Sequence, residues 1–368
     1  MALPSSGQLS LSEIATEYSV TQSNVSLGTM SVNIGLTAPH AVSEFYGRSA
    51  GPSYTPLGYT VVEQGGSYTP FRVFYNNGRW FITTRDTNYE YDISDNNATS
   101  FTQGISYLLV NAHLAFNGNT VCAIDLSNSL NDFRISRSTN NGTSYSQIFV
   151  DGNGNFSRNF DAPMIFYHGS NRWVAFSDYS NYISTDNGQS WSYAFGPSLG
   201  TDGGGAQSGS RIIINDDFNF YLSDNGFSSH TTINLPYVGG SRYSPNNIAT
   251  DGAGTWLAWK YIPSGRMLKS TDNGSTWSAI TTNLPTYDGS ITYKYEQGTY
   301  GDGKFHIAAN NYSGTTFIGG VFSSGDNGSN FDLNPLVGSP TYHKGAIGLH
   351  HNGSDMVAAG EYDNYKFN

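Results

Sequence analysis

The residues with the greatest chemical potential in this sequence come as a repeated octapeptide. Two copies are nearly identical: Ser184-Thr185-Asp186-Asn187-Gly188-Gln189-Ser190-Trp191 and Ser270-Thr271-Asp272-Asn273-Gly274-Ser275-Thr276-Trp277. A third runs Ser138-Thr139-Asn140-Asn141-Gly142-Thr143-Ser144-Tyr145, and a fourth runs from Ser324 through Asp326-Asn327-Gly328 to Phe331. Degenerate copies span Ser94 to Phe101 and Ser223 to His230. Carboxylates in such a repeated motif could serve as general acids or bases. A motif that serves every repeat equally lacks the asymmetry a catalytic site needs, so a structural reading prevails. Asp or Asn side chains bond turn amides, Gly takes the positive-φ position, and the closing aromatic packs. On that reading Asn140, Gly142, Asp186, Gly188, Trp191, Asp272, Gly274, Trp277, Asp326 and Gly328 are turn-building residues.

Other candidates fall short of a site. Asp151-Gly152-Asn153-Gly154-Asn155 is similar to the start of a calcium loop, but Phe156 stands where Gly is required and no Glu follows at the right distance. His350 and His351 flank a turn without the spacing of a metal pair. No metal, cofactor or catalytic residue is assigned. The single cysteine, Cys122, lies in the apolar run Thr120-Val121-Cys122-Ala123-Ile124 and reads as a small buried hydrophobe.

Composition bounds the elements that must hold these turns. Of 368 residues, 43 are Gly, 26 Tyr and 21 Phe, while charged residues make up 12%. So many aromatics and so few charges exclude global disorder. Scarce Glu, Lys, Leu and Ala argue against a helical bundle, leaving many short strands joined by polar turns. A net charge of −11 disfavours nucleic acid as a partner. No stretch approaches the roughly 20 apolar residues that span a bilayer, so no membrane insertion is expected. The N-terminus lacks the pattern of a signal peptide, which implies a soluble protein made in a cytosol, with Asn-x-Ser/Thr triplets such as Asn273-Gly274-Ser275 serving as turns.

Composition changes near residue 50. Before it, Ser10-Leu11-Ser12-Glu13 forms a capping box with Ile14 and Tyr18 on one helical face. A second short helix is predicted from Ala38 to Tyr46, with Thr37 as cap, Pro39 in the first turn and Gly47 as the stop. So small a segment cannot build a sizeable core alone. The chain therefore divides into residues 1–53 and a repeat region, 54–368.

Within the repeat region a Gly turn and an apolar strand start precede each octapeptide, as at Asn77-Gly78-Arg79-Trp80 and Gly169-Ser170-Asn171-Arg172-Trp173. The seventh such turn, Asn352-Gly353-Ser354-Asp355-Met356, has no octapeptide after it. Seven turns with six octapeptides imply seven repeats, the last of them incomplete.

The Ser-x-Asp-Asn-Gly-x-Ser/Thr-Trp pattern resembles the Asp-box, or BNR, repeat of sialidase-like β-propellers. The resemblance implies an all-β, seven-bladed propeller of four-stranded antiparallel blades. The box joins strands three and four, its aromatic packs between blades, and the Gly turn joins strands one and two. The last blade lacks a fourth strand, and Gly58-Tyr59-Thr60-Val61-Val62 is an unassigned strand that could supply it, closing the ring end to end and removing two edges. The same resemblance makes Arg72, in Thr69-Pro70-Phe71-Arg72-Val73-Phe74, the natural first arginine of a sialidase triad. Phe74, however, stands where that family has Pro. Arg211, Arg266, Glu296 and Glu361 come without supporting motifs, so a hydrolase is the lesser reading.

The first 47 residues, from Met1-Ala2-Leu3-Pro4-Ser5-Ser6-Gly7-Gln8-Leu9-Ser10-Leu11-Ser12-Glu13-Ile14 to Ser43-Glu44-Phe45-Tyr46-Gly47, resemble the start of many virion structural proteins of tailed bacteriophages, including phages of cyanobacteria. This resemblance implies a two-helix attachment module, with Leu3, Leu9, Leu11, Ile14, Tyr18, Phe45 and Tyr46 as anchoring residues. Other virion proteins would be its partners, and many copies are expected on the particle. The combination implies a virion surface protein, a tail-associated adhesin or fibre component that recognises a host-surface glycan. A capsid or collar decoration without a receptor role is the alternative. If both repeated turns share one face of the ring, a ligand belongs on the irregular loops of the other. Those loops carry Tyr179, Tyr182, Tyr237, Tyr243, Tyr261, Arg266, Tyr287, Tyr312 and Tyr342 as candidate sugar contacts, since flat aromatic faces stack on sugar C–H surfaces.

Overall fold

Each strand region alternates or saturates in apolar residues, and the turns between them are rich in Gly, Asn and Asp. This pattern yields short antiparallel strands. The computed structural model describes residues 59–64, 70–84, 90–105, 112–126, 133–151, 163–177, 180–194, 196–197, 199, 203–216, 218–238, 241–243, 245–260, 266–284, 293–311, 320–335, 346–360 and 363–367. Contacts divide the chain into Met1–Pro56 and Leu57–Asn368. The expected N-terminal helices and the anchoring residues Leu3, Leu9, Leu11, Ile14, Tyr18, Phe45 and Tyr46 lie outside the described residues.

The described residues form seven four-stranded antiparallel sheets and one two-stranded hairpin, Tyr237–Val238 with Ser241–Arg242, and contain no helix. The fold is an all-β, seven-bladed propeller. Blades one to six occupy residues 70–105, 113–151, 164–194, 205–234, 247–281 and 293–335, each with its strands paired in sequence order. The seventh is composite. Its three inner strands are Ala346–His351, Met356–Gly360 and Asp363–Phe367, and its outer strand is Tyr59–Gln64, with Tyr59 opposite Phe367 and Gln64 opposite Asp363.

Burial follows position in the blade. Second strands are covered on both faces by neighbouring blades, so Trp256–Trp259 and Met356–Gly360 are buried at every residue. Outer strands such as Ser192–Ala194 and Ser278–Thr281 are mostly exposed. The core is a ring of layers between blades. In one layer Cys122, Ile124 and Ile135 of blade two pack on Ile165, Trp173 and Tyr182 of blade three. Burying each such large side chain contributes about 1.5–3 kcal/mol.

The octapeptide turns join strands three and four of blades one to six, and all six are built alike. The leading serine donates to the Asp or Asn two residues on and accepts the amide four residues on. Ser184 Oγ does both, to Asp186 Oδ1 at 2.8 Å and from Gly188 N at 2.9 Å. Asp186 Oδ1 then accepts the amides of Gln189 and Ser190 at 3.0 and 2.9 Å. Trp191 and Trp277 donate their indole N–H to the carbonyls of Gly188 and Gly274, and Trp277 stacks on Phe220 of the preceding blade with ring centroids 4.2 Å apart.

Glycine is needed at the fifth position for two reasons. At Gly188 φ is +78°, and an added Cβ would lie 2.6 Å from Cys122 Sγ on the preceding blade. In the degenerate copies Ala98 and Phe227 occupy this position at φ +57° and +59°, a conformation that costs L-residues about 1–2 kcal/mol. Phe227 fits because Val174 and Phe176 of blade three face it, Phe176 with ring centroids 4.7 Å away.

Candidate functional site

Three regions of the propeller could meet a ligand: the face bearing the repeated turns, the axial channel, and the opposite face. Strand direction places the one–two and three–four turns on one face and all other connections on the other. Hydrogen bonds between the two turn types agree, from Asn141 N to Asn119 O, Asn187 N to Asn171 O and Asn273 N to Gly254 O.

The turn face is engaged in holding blades together. Arg79 Nη1 donates to Asn141 O at 2.6 Å, Arg137 Nε to Asn187 O at 2.8 Å, Arg172 Nε to Gly226 O at 2.7 Å, and Arg211 Nη1 to Asn273 O at 2.7 Å. Each is a side chain of one blade gripping the turn of the next. Arg79 and Arg211 are also bidentate to Asp95 and Asp224 of their own blades. Lys366 Nζ makes the equivalent link from blade seven to Asn97 O of blade one, at 2.9 Å. Hydrogen bonds from the hydroxyls of Ser190 and Thr276 bring Asp186 and Asp272 down to about 2. Carboxylates held ionised on turn amides are poor general acids.

First strands of all seven blades line a channel of about 620 Å³. Its polar side chains bridge blades. Gln207 Nε2 donates to Tyr167 O at 2.7 Å, and Gln297 Oε1 accepts the amides of Val73 and Leu349 at 2.9 and 3.1 Å. A bulge between Tyr295 and Gly298 turns Gln297 to this task. His113 sits between the rings of Phe74 and Phe166, and its Nδ1 accepts Ile165 N at 3.4 Å. Burial first, then the charge of Arg72, holds His113 well below its ordinary range; burial takes His350 down to about 4. Among the described residues the channel lining contains no carboxylate. The arrangement thus lacks the paired carboxylates of ordinary glycoside hydrolysis.

The arginines considered for a sialidase triad are not brought together. Arg72 lines the channel, Arg211 belongs to the turn face, and Arg266 opens a third strand on the opposite face. Glu296 is buried, its backbone carbonyl accepting Trp259 Nε1 at 3.2 Å, and Glu361 lies outside the described residues.

Of the tyrosines expected on the opposite face, Tyr179, Tyr261, Tyr287, Tyr312 and Tyr342 lie outside the described residues. Tyr182 is not a loop residue. It sits within the strand Asn181–Ser184, 4% exposed, against Phe149. Tyr243 is equally buried and packs with Leu235 and Ile248. Both fill space between strands and blades and leave the set of sugar contacts. Tyr237, at 67%, and Arg266 are exposed. Tyr243, at the junction of blades four and five, bonds the backbone beside Tyr237 and the backbone of Arg266. Tyr243 N donates to Pro236 O at 3.2 Å, and Tyr243 Oη donates to Arg266 O at 2.5 Å.

Sequence reasoning passed over a further exposed aromatic. Phe218, 54% exposed, tips the connection between strands two and three of blade four, and its carbonyl accepts Leu235 N at 3.0 Å. Asp216 fixes that tip, its Oδ1 accepting Phe218 N and Asn219 N at 2.7 and 2.6 Å. Tyr221 Oη donates to Asp216 Oδ2 at 2.6 Å. The available signal was a lone aromatic directly after Asp216-Asp217, between two strands.

No family model matches the chain, and no curated protein matches it. Solved structures do. YCF48 from Cyanidioschyzon merolae is similar with a TM-score of 0.60 and 13% identity over 84% of this chain and 98% of its own. YCF48 is also known bound to a D1 peptide. The GH74 xyloglucanase from Xanthomonas campestris is similar at 0.60 and 16%, over 84% of this chain and 53% of its own. The β-propeller domain of the Trilobed protease from Pyrococcus furiosus, described as having an open velcro topology, is similar at 0.50 and 11%, over 82% and 96%. In the present chain, by contrast, the first propeller strand pairs with the last. At such identities the likeness is one of fold.

Proposed function

We propose that this chain is a virion surface protein of a tailed bacteriophage, a tail-associated adhesin or fibre component. Residues 1–53 dock it on the particle, and the propeller recognises a glycan of the host surface. The observation that carries this reading is the asymmetry of the ring. One face is committed to bonds between blades, while the other presents solvent-exposed aromatic side chains on a braced backbone. The resemblance of residues 1–47 to virion attachment segments supports the docking half.

The test is location and adsorption together. Gold-labelled antibodies against residues 54–368 should mark tail tips or fibres in electron micrographs, and the purified full chain should bind host cells and compete with phage adsorption. Label over the head or collar without cell binding would replace this reading with decoration. Label on no particle would remove the virion role. Release of sugar from the bound surface would make the chain a hydrolase.

A further inference from the structure

We infer that Asn77 is a site of spontaneous deamidation, the most open of the Asn-Gly pairs described in the propeller, and that its conversion loosens the seam between blades one and two. This inference is independent of what the propeller binds.

Asn-Gly occurs nine times in the chain, and eight of these pairs are among the described residues, Asn153-Gly154 being the exception. Glycine has no Cβ to shield its amide from the preceding carboxamide. In the reaction the glycine nitrogen gives its proton to solvent base and bonds to Asn Cγ, the Cγ–Nδ2 bond breaks, and that nitrogen leaves as ammonia. Water then opens the five-membered imide at either carbonyl, leaving aspartate or isoaspartate in place of a thermolabile asparagine. Two groups must therefore be accessible: the glycine nitrogen and the carboxamide.

The octapeptide turns withhold both. Gly142, Gly188, Gly274 and Gly328 are buried, and their amides donate to the leading serine hydroxyls at 2.9, 2.9, 2.9 and 2.8 Å. Asn187 Oδ1 accepts Asn117 Nδ2 and Trp173 Nε1 at 2.9 and 3.2 Å, which ties down the carboxamide of Asn117 as well. Asn273 Oδ1 accepts Trp256 Nε1 at 3.0 Å. Asn225 Oδ1 accepts Ser229 N at 3.0 Å, and Gly226 is buried. In the seventh blade Gly353 N donates to His351 Nδ1 at 2.9 Å, while Asn352 Oδ1 accepts the amides of Ser354 and Asp355.

Asn77 and Gly78 are held far less. They form the two-residue turn between the paired residues Asn76 and Arg79, and both are exposed. Gly78 N has no acceptor among the described residues. The Asn77 carboxamide makes one surface contact, Nδ2 to Asn119 Oδ1 at 3.3 Å. Backbone conformation does not separate the sites, since φ is +44° at Asn77 and +59° at Asn187. Room to move does: a Cβ at Gly78 would meet nothing within 4 Å, whereas one at Gly188 would strike Cys122 Sγ.

The consequence falls on Arg79, the next residue but one. Its Nη1 donates to Asn141 O and Thr143 Oγ1 of blade two at 2.6 and 2.9 Å, while Nη2 pairs with Asp95. Isoaspartate at position 77 adds a methylene to the backbone of a turn only two residues long. Either product also sets a carboxylate against Asn119 Oδ1 in place of a donor. Both changes act where blade one grips blade two.

The test incubates the full folded chain at mildly alkaline pH and follows each Asn-Gly peptide by mass spectrometry, with isoaspartate read by enzymatic methylation. Asn77 should convert about tenfold faster than Asn187 or Asn273, the factor for one hydrogen bond that must break first. In urea the described pairs should converge, because the fold alone sets them apart. Ageing should lower the urea midpoint of the parent but not that of Asn77→Gly, which accepts the positive φ and lacks the carboxamide. Equal or slower conversion at Asn77 in the folded chain would overturn the site, as would a ranking that persists in urea. Conversion without a fall in midpoint, or an equal fall in Asn77→Gly, would overturn the link to the seam.

Discussion

The side-chain amide of Gln297 makes both of its hydrogen-bond types with the backbone of Val73, accepting the amide at 2.9 Å and donating to the carbonyl at 3.0 Å. Its oxygen also accepts Leu349 N. One side chain of blade six thus mimics a strand for blades seven and one, across the seam where the two ends of the propeller meet. Replacing Gln297 with Leu should lower stability by about 2 kcal/mol, because two part-buried amides lose their acceptor. Urea unfolding of the two chains checks this, and an unchanged midpoint would show that water substitutes fully.

The fifth turn position couples adjacent blades through bulk. Gly188→Ala should cost about 3 kcal/mol, from the positive φ and from overlap with Cys122 Sγ. Cys122→Ala should recover about 1 kcal/mol of that in the double variant, read as the coupling energy of a double-mutant cycle. Additive costs would mean that the backbone conformation alone is responsible.

Phe227 tests the opposite substitution. Phe227→Ala keeps the positive φ and empties the space against Phe176, so it should cost about 3 kcal/mol by cavity formation. A loss below 1 kcal/mol in thermal or urea unfolding would show that blades three and four close over the gap.

Acid should weaken the propeller in two stages. Burial holds His306 and His350 at about 4 and lowers His113 as well, against an ordinary value of 6.5. Below pH about 6.5 the unfolded chain therefore takes up protons that the folded one refuses, and stability falls until about pH 4. Asp186 and Asp272 have the same sign with a lower window. Their folded values of about 2 lie under the ordinary 3.8, so their contribution is present above pH 3.8 and is lost as pH falls towards 2. Burial raises Asp125 to about 6, so the folded chain takes up a proton there between about pH 6 and 3.8 and offsets part of the first descent. Urea midpoints from pH 8 to 2 should show both descents, and a flat profile between 6.5 and 4 in an Asp125→Asn variant would mean that these histidines are hydrated in solution.

The turns and the blade count were legible because their determinants are local. A serine, an acid or amide and a glycine, a few residues apart, are enough to shape a turn wherever they recur. The missing fourth strand of the last blade was legible by counting. The arginine links between blades were not, because Arg79 or Arg172 meets its partner only when two blades stack. Tyr182 and Phe218 show the same limit from opposite sides. Tyr182 lies on a strand face that the neighbouring blade covers, whereas Phe218, 54% exposed, tips a turn that Asp216 holds. Residue type is a weak guide to exposure in a chain so rich in aromatics, and strand limits decide it.

The composite seventh blade also sets an order of events in synthesis. The strand Tyr59–Gln64 is made first among those of the propeller, and its partner Asp363–Phe367 is made last. Every other blade is a run of local hairpins that is complete as soon as its own residues are available. The first strand alone must wait for the whole ring, and pairings of such long range are the slow ones. A chain interrupted before Phe367 is an open arc with a bare strand edge at its unfinished end, the kind of edge that recruits other strands. Only the finished chain can retire both ends at once.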